Sequence, residues 1–287
     1  MQRLTGLRGL VDAYDGFILD AWGTLHEGGP VLPAALDAVR RLHAAGKRLA
    51  VMSNTPQLGP VLARRLEGQG LPSDLYDFPF TAGDLAHEDL RAADGPWFAG
   101  IGRRAYHLAP ARFPDLLPGT PFTPVDRIED ADLLVNGGPD RDDLPLSSFE
   151  ALFRAAIARD VPMVCANPDR AIVNQGILTM CAGELAAAYE ALGGRVRYYG
   201  KPFPGVFERT LERLGTEAAR TVVVGDGLTT DIAGADAAGL DSLLIAGGLY
   251  ADTLVTGSGK LVDDLEAAVR AISPVARPRY AVPRFAW

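Results

Sequence analysis

The sequence predicts an α/β protein: a doubly wound parallel sheet with a smaller α/β domain inserted into it. Three observations carry this expectation. Short apolar runs alternate with amphipathic helical patterns near both ends of the chain, the signature of parallel strands joined by crossover helices. The alternation breaks in the middle, between about residues 82 and 176, where loops rich in proline and acid separate shorter elements. The apolar runs end in polar residues, at Asp20, Ser53 and Asp226, and a fourth leads into Lys201. In open parallel sheets the carboxyl edge of the strands is where ligands bind. The expected division is therefore core over 1–81, insertion over 82–176 and core again over 177–287.

The elements follow in order. Phe17-Ile18-Leu19 is a buried strand delivering Asp20 to its end, with Gly23 permitting a turn directly afterwards. Pro33 opens a helix whose face is Ala35, Val39 and Leu42, and Gly46 stops it. Residues 47–52 form a second strand, running into Ser53-Asn54-Thr55. Pro56 then starts a helix with Leu58, Leu62 and Leu66 four residues apart. Within the insertion, strands are expected at 97–101, 133–136 and 162–166, with a helix over 148–159. The core resumes with a helix over 184–192 and a short strand at 196–199 before Gly200-Lys201-Pro202. A helix over 204–214 and a buried strand at 221–224 lead to Gly225-Asp226-Gly227. A helix from Thr230, a strand over 241–245 and a helix near 263–272 complete the pattern. The tail after Ser273 has prolines, arginines and aromatics without periodicity, and reads as surface packing or a frayed end.

Composition narrows the function. The 287 residues are 48% hydrophobic and 22% charged, an ordinary globular balance. A net charge of −8 argues against nucleic-acid binding, whose electrostatic footprint is basic. An anionic substrate would need a local positive site. Two cysteines, Cys165 and Cys181, are too few for a disulfide scaffold and match no zinc spacing. With no signal-like amino terminus and no apolar window of membrane-spanning length, a cytoplasmic protein is expected.

The polar strand ends suggest one chemistry. An aspartate at such a position can attack phosphorus and form an aspartyl-phosphate. Negative charge on the phosphoryl group then demands a cation. Asp20, Asp226 and Asp231 offer oxygen-only ligands, which suit Mg²⁺. Lys201 can neutralise the phosphoryl oxygens, and Ser53 and Asn54 can donate hydrogen bonds to them. Lysine occurs only at 47, 201 and 260, so its choice at 201 points to a need for a compact point charge.

These residues resemble the haloacid dehalogenase superfamily of aspartyl-nucleophile hydrolases. Asp20-Ala21-Trp22-Gly23-Thr24-Leu25 resembles its first motif, Ser53-Asn54-Thr55 the second, Lys201-Pro202 the third and Gly225-Asp226-Gly227-Leu228-Thr229-Thr230-Asp231 the fourth. The insertion between the second and third motifs resembles the class IIA branch, which includes nitrophenylphosphatases, phosphoglycolate phosphatases and nucleotide phosphatases. Ala166-Asn167-Pro168-Asp169 is similar to that branch's cap signature. The resemblance implies a phosphatase for a small phosphorylated metabolite. Asp20 would be nucleophile and Mg²⁺ ligand, joined by the Trp22 backbone carbonyl, Asp226 and Asp231. Ser53, Asn54 and Lys201 would hold the phosphoryl group. The cap would select the leaving group, with Asn167, Asp169 and Arg170 as contacts, and homodimerisation through the cap is also implied.

One position departs from the pattern. The family's phosphatases place a second aspartate two residues after the nucleophile, as general acid and then base. Here that residue is Trp22, whose indole can do neither. Such assistance is typically worth about 10²–10⁴ in rate, so a slow phosphatase is expected unless another group substitutes. His26 is the foremost substitute by titration range, with Glu27 and Asp169 as alternatives. A binding protein that has lost turnover, or a phosphotransferase, are the competing readings.

Overall fold

The computed structural model describes residues 1–113, 115–141, 143–174 and 177–287. The residue at 176, the expected end of the insertion, lies outside that set. Two compact units emerge. The first holds Met1–Ser53, Gly59–Phe80 and Lys201–Trp287, and the second holds Asn54–Leu58 and Thr81–Gly200. The strands in chain order are β1 (Gln2–Arg3), β2 (Gly16–Asp20), β3 (Arg48–Ser53), β4 (Phe78–Thr81), β5 (Arg104–Leu108), β6 (Thr123–Pro124) and β7 (Leu133–Asn136). There follow β8 (Met163–Cys165), β9 (Ala171–Asn174), β10 (Ile177–Met180), β11 (Val196–Tyr198), β12 (Thr221–Gly225), β13 (Asp241–Ile245) and β14 (Tyr280–Val282).

In the first unit the described strands form a sheet in the order β1-β14-β13-β12-β2-β3-β4. β12 pairs in parallel with both β13 and β2, and β2 pairs in parallel with β3. Every residue of β2 and β12 is buried, as a sheet covered on both faces requires. Phe17, Leu19, Val51, Val222 and Val224 join one hydrophobic cluster with Ala35, Val39 and Leu42 of the helix Pro33–Ala44. Each large side chain buried there contributes about 1.5–3 kcal/mol. Val224 stands opposite Leu19, and Asp20 stands opposite Met52. This register brings Asp20, Ser53 and the Gly225-Asp226 junction to one edge of the sheet.

The second unit has its own parallel sheet, in the order β11-β8-β7-β5-β6, and an antiparallel β9–β10 hairpin. Helices Glu150–Ile157 and Ala182–Ala191 bury Phe153, Leu185 and Tyr189 in its core.

Three local expectations change. Residues 182–200 do not rejoin the first sheet: β11 pairs with β8, because Val196 and Tyr198 complete the second unit's core. The run at 97–101 is a 3₁₀ turn (Pro96–Phe98) followed by loop, since Pro96 and Gly100 interrupt any ladder, and the strand lies further on, at Arg104–Leu108. The tail is ordered: β14 inserts between β13 and β1, burying Tyr280, Ala281 and Val282. No described helix is long and apolar enough to cross a membrane.

Candidate active site

The site is built where β2 and β12 end. Asp20, Lys201, Asp226 and Asp231 are 6%, 4%, 6% and 2% exposed. Carboxylate oxygens of Asp20, Asp226 and Asp231 lie within 4.8 Å of one another. The Lys201 ammonium reaches into this group, donating to Asp20 Oδ1 and, at 2.7 Å, to Asp231 Oδ1. Asp231 is fixed on its other oxygen by the Gly227 N–H at 3.0 Å. Asp226 accepts the Leu249 N–H at 2.7 Å. Gly23, at φ +83°, lets the turn after β2 pass directly against the Asp226 carboxylate, where a Cβ would collide.

Burial dominates the electrostatics. It raises the Asp20 pKa well above the usual carboxylate range; Lys201 opposes the rise, while Asp231 and Asp226 add to it. Asp226 is pushed up to about 7, first by burial and then by Asp231. Burial disfavours the charged Lys201, but Asp20 and Asp231 outweigh it and raise its pKa. Three carboxylates face one ammonium, so with all three ionised two negative charges would be unmatched. Oxygen-only donors with that excess fit a hard divalent cation. The buried Thr24 hydroxyl, four residues after Asp20, has no hydrogen-bond partner among the described residues.

The remaining expected residues take diverse places. Ser53 ends β3, one residue past Met52, the partner of Asp20. Asn54 belongs to the second unit, and its Nδ2 donates to Asp169 Oδ1 at 2.8 Å. Asn167 Oδ1 accepts the Asp169 N–H at 3.0 Å, so Asn54, Asn167 and Asp169 form one hydrogen-bonded group. Arg170 is exposed and pairs with Glu184, which raises its pKa.

His26, expected to replace the missing acid, is fully buried. Its Nδ1 accepts the Gly28 N–H at 3.0 Å, which leaves the ring proton on Nε2, an atom without a partner among the described residues. Burial, then the charge of Arg65, lowers its pKa to about 4. The ring is thus neutral near pH 7 and enclosed, a poor position from which to protonate a leaving group. It packs edge-to-face on Trp22, with ring centroids 5.4 Å apart. The loop is closed by Gly23 N–H donating to the His26 carbonyl at 2.8 Å.

Sequence reading missed Gly248 and Leu249. The Leu249 amide orients Asp226, and Gly248 lies so close to that carboxylate that a Cβ has no room. The available signal was Gly247-Gly248 directly after the β13 run, a pair that marks close backbone approach.

Comparison with known proteins matches residues 17–111 to a family described as haloacid dehalogenase-like hydrolase. Residues 198–271 match one described as HAD-hydrolase-like. Chronophin of Bos taurus is 31% identical over 265 residues, covering 86% of this chain and 87% of the relative. A haloacid dehalogenase-like hydrolase from Brucella suis 1330 has a similar crystal structure, with a TM-score of 0.82 and 28% identity over 98% of this chain and 99% of that one. A glycerol phosphate phosphatase from Mycobacterium tuberculosis, solved in complex with magnesium, gives a TM-score of 0.69 at 25% identity, over 95% of this chain and 75% of that one.

Proposed function

The chain belongs to the haloacid dehalogenase-like hydrolase family, and from that premise we propose that it is a Mg²⁺-dependent phosphoric monoester hydrolase acting on a small phosphorylated metabolite through an aspartyl-phosphate on Asp20. The observation that carries the reading is the buried cluster of Asp20, Asp226 and Asp231 with Lys201 bonded between two of them. Asp20, Asp226, Asp231 and the Trp22 carbonyl would hold the ion. Bound there, Mg²⁺ would neutralise phosphoryl charge and favour the ionised form of Asp20.

Asp20 attacks phosphorus as the bond to the leaving oxygen breaks, and the leaving group departs with the electron pair. Lys201 holds Asp20 in place and offsets charge on the phosphoryl oxygens. Ser53, at the same sheet edge, donates to those oxygens. Water then cleaves the aspartyl-phosphate, returning the carboxylate and releasing phosphate. Asn54 and Asp169 are hydrogen-bonded to each other, which positions both side chains within the second unit. His26 is assigned to bracing the loop.

The second reading is phosphoryl transfer to an acceptor other than water, favoured by Trp22, which offers no base to activate water. Phosphate release from nitrophenyl phosphate and a panel of small phosphomonoesters, with and without Mg²⁺, tests the assignment beside Asp20→Asn. The expected result is Mg²⁺-dependent release abolished by Asp20→Asn. Release unaffected by that substitution would overturn the reading.

A further inference from the structure

Trp22 does more than remove an acid. It lies two residues beyond the nucleophile, in a loop held by hydrogen bonds from Leu25 N–H and His26 N–H to the Ala21 carbonyl and from Gly23 N–H to the His26 carbonyl. Its ring is braced twice. The His26 imidazole meets it edge-to-face, 5.4 Å between centroids and 73° between planes. On another side it rests against Gly28, so closely that a Cβ there would stand 2.7 Å from Trp22 Cη2. Gly28 itself has φ +93°, a conformation that glycine adopts without strain. The brace is built: the Gly28 N–H that holds the turn is bonded to the same imidazole. Yet the indole is not sealed in, because Trp22 remains partly exposed while His26 and Leu25 are fully buried. A braced, partly exposed aromatic ring therefore stands two residues after Asp20 in the chain.

Two consequences follow for the departing group. Neither ring of this loop can protonate it: the indole N–H is no acid and His26 is enclosed, while Glu27 is exposed to solvent. Without a proton from these two rings, the leaving oxygen departs as an anion. A flat, braced ring at position 22, where the family's acid stands, would favour planar leaving groups.

We propose that Trp22 selects phosphate esters whose leaving oxygen belongs to a conjugated plane, namely aryl, enol or acyl phosphates, and discriminates against alkyl phosphates. This rests on the phosphatase reading above. In the first step the phosphorus–oxygen bond to the leaving group breaks as the bond to Asp20 forms, and the electron pair stays on the conjugated oxygen. In the second, water adds to phosphorus, Asp20 leaves as carboxylate, one of the water's protons stays on the released phosphate as its hydroxyl and the other passes to solvent.

The test is kcat/KM for a series of substituted phenyl phosphates of graded leaving-group acidity, plus ethyl phosphate, with wild type, Trp22→Asp, Trp22→Ala and Asp20→Asn. Wild type should favour nitrophenyl over ethyl phosphate steeply. Trp22→Asp should narrow that ratio by about the 10²–10⁴ that general acid–base assistance supplies. Trp22→Ala should keep the steep dependence but raise KM for the aryl esters roughly 2- to 12-fold, the range for loss of an aromatic contact. Ethyl and nitrophenyl phosphate cleaved equally by wild type would overturn the proposal and leave the phosphatase reading standing. Unchanged KM for aryl esters in Trp22→Ala would overturn the role of the aromatic surface. No release from any ester above Asp20→Asn would remove the phosphatase reading and this inference with it. Should Trp22→Asp not fold, the wild-type series and Trp22→Ala decide the question alone.

Discussion

Two regions of the first unit adjoin one another in the chain at Asp20, yet they are built on opposite principles. The cluster of Asp20, Asp226, Asp231 and Lys201 concentrates charge where water is scarce. The loop of Trp22, His26 and Gly28 occupies the adjacent space with neutral rings and backbone hydrogen bonds. The first arrangement costs stability and is intelligible only if an ion and a phosphoryl group complete it. The second holds rings that need no counter-charge. The difference teaches that the residues proposed for metal binding and attack are all in place, while position 22 carries a ring where the proposed chemistry would use an acid.

The largest expected effect comes from breaking the charged region. Lys201→Ala leaves three carboxylates without their cation and should cost about 3–5 kcal/mol in metal-free protein, measured by urea unfolding. Adding Mg²⁺ should restore part of that loss, because an ion that binds only the folded state stabilises it by mass action. A variant as stable as wild type in chelator would show that the carboxylates are not ionised together.

The neutral region has the contrary signature, a dependence on pH. An unfolded chain protonates His26 near the ordinary 6.5, whereas the folded chain leaves it neutral down to about 4. The unfolded state therefore binds more protons between these values. The contribution of His26 is fully present above pH 6.5 and is lost as pH falls toward 4, by roughly 3 kcal/mol. Unfolding of wild type and His26→Gln at pH 7 and pH 4.5 isolates this term. Parallel losses in the two proteins would show that His26 titrates normally.

Gly28→Ala sharpens the same region. Its φ of +93° and the 2.7 Å approach to Trp22 make an added methyl unfavourable on both counts. A cost of roughly 1–2 kcal/mol from the backbone alone is expected, with altered tryptophan fluorescence as the ring is displaced. An unchanged spectrum would separate Gly28 from the indole. The smallest effect belongs to Arg170→Ala, which removes an exposed ion pair with Glu184 and should cost under about 1 kcal/mol while leaving KM unchanged. A raised KM would return Arg170 to the substrate contacts.

Much of the charged region was legible in the sequence. Asp20 and Asp226 each follow an apolar run that can only be a buried strand, and Asp231 follows Asp226 across one turn, so residue type and position specify the cluster together. The neutral region was much less so. Nothing in Leu25-His26-Glu27-Gly28 shows that the imidazole turns inward beneath Trp22, because that depends on Gly28 lending its N–H and its missing Cβ. A polar residue in a glycine-rich loop reads as exposed until the packing is seen. The same non-local dependence hid β14, whose three apolar residues lie among proline and arginine and gain a ladder only from β13 and β1. It also hid the allegiance of β11, set by pairing with β8 and not by its nearness to Lys201. The tie between Asn54 and Asp169, 115 positions apart, is of the same kind.

The central claim is that Asp20 takes the phosphoryl group and that position 22 offers nothing to hasten its release. Rapid acid quenching during turnover of nitrophenyl phosphate with Mg²⁺, followed by mass analysis of the peptide containing Asp20, tests both parts together. The account predicts a phosphoryl group on Asp20 that accumulates in wild type, falls to a trace in Trp22→Asp and is absent in Asp20→Asn. Nitrophenol released by wild type with no phosphoryl group ever found on Asp20 would contradict it.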